Sequence, residues 1–194
     1  MNPYLAATDI IDWTHPDVLA RALALKSADG PVVTAENCFC WVRDEIHHSI
    51  DHGDRVVTLS ASQVLQHRTG FCYGKSHLLA ALLRANNIPA GLCYQRLCLD
   101  DQGPPFCLHG FNAIALPGMG WYRVDARGNR PGIETRFDPP REVLAFQPKQ
   151  RGEQTFEAIW PEPLPVVVEA LRRCNTVSEL ISQLPDCWVQ ALVD

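Results

Sequence analysis

The sequence predicts an α+β fold: helices from the first half of the chain pack on an antiparallel sheet supplied by the second. Three observations carry that reading. Helical spacing of apolar residues dominates up to about residue 86, and strand-like runs with a hairpin signal occupy 90–125. A cysteine, Cys72, stands between the loop signal Thr69-Gly70 and the most continuous helix-like run in the chain. Helices followed by strands, rather than alternating with them, argue for a sheet covered by helices and not for a doubly wound parallel sheet.

Composition sets the frame. The chain has 194 residues, 46% hydrophobic and 20% charged, which suits one globular domain over 1–194. Its core is expected at about 34–130, with a proline-rich covering segment and C-terminal helices over 131–194. A formal net charge of −5 gives no electrostatic reason to expect nucleic acid or an anionic membrane as partner. No apolar run approaches the roughly 20 residues of a membrane span. The start, Met1-Asn2-Pro3-Tyr4-Leu5, lacks a basic region followed by an apolar one, so the expected location is cytoplasmic. The eight cysteines include no Cys-x-x-Cys pair, so neither zinc nor a disulfide framework is expected. Cys38, Cys40, Cys93 and Cys98 sit among apolar neighbours and read as small core hydrophobes. No cofactor and no metal is expected, and composition says nothing of oligomeric state.

Taken in order, residues 1–15 look irregular. A helix starts at His15-Pro16 and carries Val18, Leu19, Ala22, Leu23 and Leu25 at helical intervals, with Asp29-Gly30-Pro31 as its stop. A second helix is expected from about Thr34 to Asp51, with Cys38, Trp41, Val42, Glu45, Ile46 and Ser49 on one stripe and Gly53 after it. His47, His48 and His52 fall near its end. No surrounding carboxylate or cysteine pattern completes a metal site, and cations suit a helix C-terminus. Ser60 or Ser62 caps a short helix over Gln63-Val64-Leu65-Gln66. The central helix runs from Cys72 to about Asn86, with Leu78, Leu79, Leu82 and Leu83 on a wide apolar face and Pro89 forbidding continuation. Strands are expected over Ala90–Leu99, His109–Leu116 and Trp121–Asp125, with a loop over 100–105 and a hairpin at Pro117-Gly118-Met119-Gly120. Residues 127–165 hold seven of the fifteen prolines, which argues for loops and short pieces laid over the surface. A last helix covers Val166–Arg173, and Leu180 and Ile181 sit in a further short one.

The chemistry centres on Cys72. A cysteine at a helix start lies beside unsatisfied N–H groups and the positive end of the helix dipole, which favours the nucleophilic thiolate. A thiol nucleophile needs a base, a group that orients the base, and donors for the oxyanion. His109, opening a strand after a proline-rich loop, is the candidate base, and Asp125, closing the partner strand, is the candidate orienter. Arg68 and Lys75 are near enough in sequence to influence Cys72, and Tyr73, Arg127 and Asn129 are candidates to line the cleft. His77, five residues along the same helix, points away and reads as structural.

Hairpin register decides whether His109 and Asp125 can meet. If paired residue numbers sum to 237, the two face opposite sides of the sheet. If they sum to 236, Asp125 lies opposite Phe111 and His109 is its diagonal neighbour on the same face, about 7–8 Å away at Cα. The site therefore requires an odd-length loop, or a bulge, near Pro117–Gly120.

Together, Thr69-Gly70-Phe71-Cys72, Leu82-Leu83-Arg84-Ala85-Asn86-Asn87-Ile88-Pro89-Ala90, His109 and Gly120-Trp121-Tyr122-Arg123-Val124-Asp125 resemble the transglutaminase-like superfamily over residues 60–130. The resemblance implies a papain-like core with Cys72 as nucleophile, His109 as base and Asp125 as its orienting partner. It also implies the backbone N–H of Cys72 as one oxyanion donor and leaves the side-chain donor unassigned. Three positions depart from the family pattern. Phe111 stands where a tryptophan is common, and Phe71-Cys72-Tyr73 replaces the Gln-Cys-Trp of crosslinking transglutaminases. The expected activity is cysteine-dependent acyl transfer on a peptide or amide-containing substrate, as a hydrolase. The alternatives are a protein-glutamine transamidase, a non-catalytic binding module that keeps the fold, and a metal or redox protein.

Overall fold

The computed structural model describes residues 2–100 and 103–188. After a single 3-10 turn at Pro3–Leu5, α1 spans Pro16–Leu25, with proline in its first turn and the His15 ring accepting the Asp17 N–H at 3.3 Å. Helix α2 covers Pro31–Glu45 and leaves Gly30, whose φ is 110°.

Helix α2 stops six residues before the expected end at Asp51. His47-His48 form a short strand, β1, and a one-turn helix α3 follows at Ser49–His52 and ends on Gly53. The break has a tertiary cause. Strand β1 pairs in parallel with β2, Thr69–Gly70, setting His47 against Thr69 and His48 against Gly70. The Lys75 amine donates to the carbonyls of Arg43 (3.3 Å) and Ile46, closing the end of α2. The histidines therefore do not cap a long helix. Helix α4, Ala61–His67, is wider than expected and opens with a full capping box between Ser60 and Gln63.

Helix α5, Cys72–Ala85, is buried on every side, as a helix enclosed by other elements must be. It packs against α1, α2 and α4 and lies on the sheet. The Arg84 guanidinium, itself buried, donates to the carbonyls of Ala90 (2.9 and 3.1 Å), Ala6 (2.8 Å) and Pro161 (2.6 Å), so one side chain ties the start of the following strand and two distant segments to the end of α5.

Strand β3 spans Ala90–Asp100 and β4 spans Gly103–Leu116, so His109 lies within β4, opposite Gln95, and does not open it. The ladder continues to Asp100 and Gly103. Pro104 and Pro105 fall where the register shifts, so they do not end the strand. Of the loop expected over 100–105, residues 101 and 102 lie outside the described residues. Strand β5 is Gly120–Val124. Short strands β6 (Arg136–Asp138) and β7 (Arg141–Val143) pair with each other, and β8 (Gln154–Thr155) joins the main antiparallel sheet, whose order is β5-β4-β3-β8. Helices α6 (Pro165–Arg173) and α7 (Val177–Ser182) follow. Alternate residues of β4 divide two apolar clusters. Leu108 and Ile114 join the main core with α5, and Phe111 and Ala113 pack with Cys93 under Leu144 and Ile159.

Among the described residues no helix is long and apolar enough to cross a membrane. All eight cysteines are free, and Cys38 and Cys93 are buried as expected of core residues, whereas Cys40 and Cys98 are partly exposed.

Candidate active site

The β4–β5 pairing sets Leu116 against Gly120, Ala115 against Trp121 and Asn112 against Val124, with Pro117, Gly118 and Met119 as a three-residue loop. This is the even register, with no bulge. It puts Asp125 one step beyond the last pair, on the face that carries His109. The two side chains meet: His109 Nε2 donates to Asp125 Oδ2 at 2.7 Å.

Cys72 is the first residue of α5, and the chain that delivers it is firmly held. Thr69 Oγ1 donates to Asp54 Oδ2 at 2.6 Å, Thr58 Oγ1 donates to the Thr69 carbonyl at 3.0 Å, and Ser49 Oγ contacts Thr69 Oγ1 at 3.2 Å. Cys72 and His109 both line a cavity of about 560 Å³, together with His48, Phe71, Arg127 and Phe146. Cys72 is only 4% exposed, so the thiol is reached through that cavity and not from the open surface.

Asp125 is fully enclosed but well supplied with donors. Besides His109 it accepts the N–H of Arg127 (3.1 Å) and of Ala145 (3.0 Å). Burial pushes its carboxyl up, and His109 with the two backbone donors outweighs burial and holds the pKa below the ordinary value. For His109 burial pulls down, while Asp125 and the neighbouring Cys72 side chain raise the imidazole to about 10. The ring is further positioned by Phe146, edge-on at 4.9 Å between centroids, and by Phe111, parallel at 6.1 Å.

The remaining expectations divide. Arg127 lines the cavity. Tyr73 does not: it is buried beneath the sheet with its hydroxyl on the Leu108 carbonyl. Asn129 faces elsewhere, its side chain occupied by the N–H (2.7 Å) and hydroxyl (3.1 Å) of Thr135. Lys75 is spent on the end of α2, and Arg68 pairs with Glu45 (3.0 Å) and lies over Trp41. His77 Nδ1 donates to the Leu59 carbonyl (2.8 Å), away from Cys72, and burial lowers its pKa to about 4. The guanidiniums of Arg127 and Arg130 go to Asp51 and not to Asp125, Arg127 in a two-pronged pair at 2.7 and 3.0 Å and Arg130 at 3.5 Å. Phe146, the Ala145 N–H and the cavity position of His48 gave no local signal in the sequence. Near His48, the rings of His47 and His52 stack at 3.9 Å, but no group of three metal-binding side chains forms among the described residues.

A family model described as the transglutaminase-like superfamily matches residues 19–126, and the chain belongs to that superfamily. The match begins well before residue 60 and takes in most of α1 and all of α2. A crystal structure of a candidate cysteine protease from Cytophaga hutchinsonii is similar, with a TM-score of 0.50 and 21% identity, over 64% of this chain. The similar region is 41% of that protein's chain, so this chain spans well under half its length. Together with the family match, the likeness places this fold among the α+β, transglutaminase-like ones. A search of the curated proteins returns no match.

Proposed function

We propose that the protein is a cysteine-dependent acyl-transfer enzyme that hydrolyses peptide or amide bonds, with Cys72 as nucleophile, His109 as general acid and base, and Asp125 as the residue that orients His109. The observation that carries this is the 2.7 Å bond between His109 and Asp125 in the wall of the cavity that Cys72 enters from the start of α5. With Nε2 committed to Asp125, the other ring nitrogen is left for the thiol. Proton transfer from Cys72 to His109 gives a thiolate–imidazolium pair. Sulfur adds to the substrate carbonyl carbon. The tetrahedral intermediate collapses to a thioester as His109 hands its proton to the leaving amine. Water, activated by the now neutral His109, releases the acid and restores the thiol.

The test uses iodoacetamide as a thiol probe and p-nitrophenyl acetate as an acyl donor. Cys72→Ala is expected to abolish both rapid alkylation and the ester burst, and His109→Ala to slow both by roughly 10²–10⁴-fold. Rapid alkylation that survives in Cys72→Ala would assign the reactive thiol to another cysteine and sink the reading. A thioester that partitions to an added primary amine faster than to water would turn the assignment from hydrolase to transamidase.

A further inference from the structure

His48 is a polar residue in the cavity wall for which the Cys72, His109 and Asp125 reading has no task. Its pairing with Gly70 sets it beside the backbone that leads into Cys72, and its ring contacts that of Phe71 at 5.3 Å between centroids. It is buried, 5% exposed, yet it lines the same cavity as Cys72 and His109. Nδ1 is enclosed by protein and has no hydrogen-bond partner. The Asp51 carboxylate stands 3.9 Å from it, beyond hydrogen-bond reach, and both Asp51 oxygens already accept from Arg127. The nitrogen open to a cavity occupant is therefore Nε2.

Burial, helped by Arg127, pushes the His48 pKa down to about 3, so the ring is neutral wherever a thiol nucleophile works. A neutral imidazole carries one N–H. Sealing an N–H away without an acceptor is rarer, and costlier, than sealing away a lone pair. That preference puts the proton on Nε2, facing the cavity. Other polar side chains of the wall are less suited. Arg127 is held by Asp51, and Lys149 and Gln150 stand at the exposed mouth.

We infer that His48 is the side-chain oxyanion donor of the site, its Nε2–H hydrogen-bonding the acyl oxygen while Cys72 adds to the carbonyl carbon. The inference rests on the proposed acyl-transfer function. As the Sγ–C bond forms, the carbonyl π pair moves onto oxygen, and His48 shares that charge with the backbone N–H at the start of α5. His48 gives up no proton. When the pair returns, the C–N bond breaks and the leaving amine takes its proton from His109. A neutral donor held rigidly in a dry wall serves this purpose without the desolvation cost of burying a cation.

Two reactions of the same thiol separate this role from a structural one. Alkylation by iodoacetamide builds no oxyanion, whereas acylation by p-nitrophenyl acetate does. His48→Ala is expected to slow acylation of Cys72 roughly 10²–10³-fold while alkylation changes by no more than about threefold. The thiono analogue of the ester, whose sulfur is a poor hydrogen-bond acceptor, supplies a second readout. Wild-type protein should prefer the oxygen ester strongly, and His48→Ala should lose most of that preference. His48→Gln, which returns an N–H donor, should recover part of the acylation rate, and His48→Leu replaces the alanine variant if that one fails to fold. Equal losses in alkylation and acylation, unchanged acylation, or an intact preference for the oxygen ester would each overturn the assignment. Wild-type protein whose alkylation does not depend on Cys72 would count against the proposed function itself, a result distinct from any of these.

Discussion

Asp125 carries the electrostatic weight of the site although it never meets substrate. Burial alone would drive protons off His109 and onto Asp125. Their mutual contact reverses both tendencies and raises His109 to about 10. Asp125→Asn keeps the shape and removes the charge. Burial then dominates, and the imidazole loses its proton at lower pH. The alkaline limb of the acylation profile, which marks loss of the imidazolium, should move down by more than about one pH unit. Acylation at neutral pH should fall by roughly 10²–10⁴-fold. Stopped-flow acylation by p-nitrophenyl acetate between pH 5 and pH 10 checks this, and an alkaline limb that stays in place would show that Asp125 does not set the His109 pKa.

At the scale of elements, the close approach of α5 to β4 fixes where Cys72 stands relative to His109. Gly110 allows it. A Cβ there would lie 2.9 Å from Cδ1 of the buried Tyr73 ring and 3.5 Å from Tyr94. Gly110→Ala must push Tyr73, the neighbour of Cys72, off its Leu108 carbonyl or move the helix. The expected cost is about 1–3 kcal/mol, seen as a lower urea midpoint, with slower alkylation of Cys72 in the folded protein. A wild-type midpoint would remove this contact as a constraint. The same elements show what the sequence could reveal. The nature of α5 followed from its unbroken apolar run and Pro89. The odd loop Pro117–Met119 carried the condition under which His109 and Asp125 meet, because strand faces alternate strictly. The break after Glu45 was not legible. Helical spacing resumes in α3, and the cause of the break is a pairing with Thr69–Gly70, far along the chain. With that break hidden, His48 read as a helix-end cation and its place in the cavity could not be seen. Phe146 and Ala145 were hidden for another reason: they lie in a proline-rich stretch whose shape is set by what it packs on, so periodicity says nothing of it.

For the molecule as a whole, one buried base, Lys75, makes stability depend on pH just above neutrality. Lys75 is pushed down to about 7, by burial first and by Arg127 next, while its unfolded value is near 10.5. Between those values the unfolded chain holds a proton that the folded one lacks, so stability rises with pH. The proton that raises His109 comes from Cys72 in the proposed pair, so that couple adds little net slope. From about pH 7 to pH 8.5 the Lys75 slope is up to about 1.4 kcal/mol per pH unit, over a background from thiols ionising in the unfolded chain. Lys75→Met shares that background, keeps the bulk and removes this titration, so its urea midpoint should fall across the window relative to that of the wild type. Urea titrations at four pH values measure both proteins. Parallel curves for the wild type and Lys75→Met would mean that Lys75 keeps its proton in the fold, with the carbonyls of Arg43 and Ile46 holding an ammonium and not an amine.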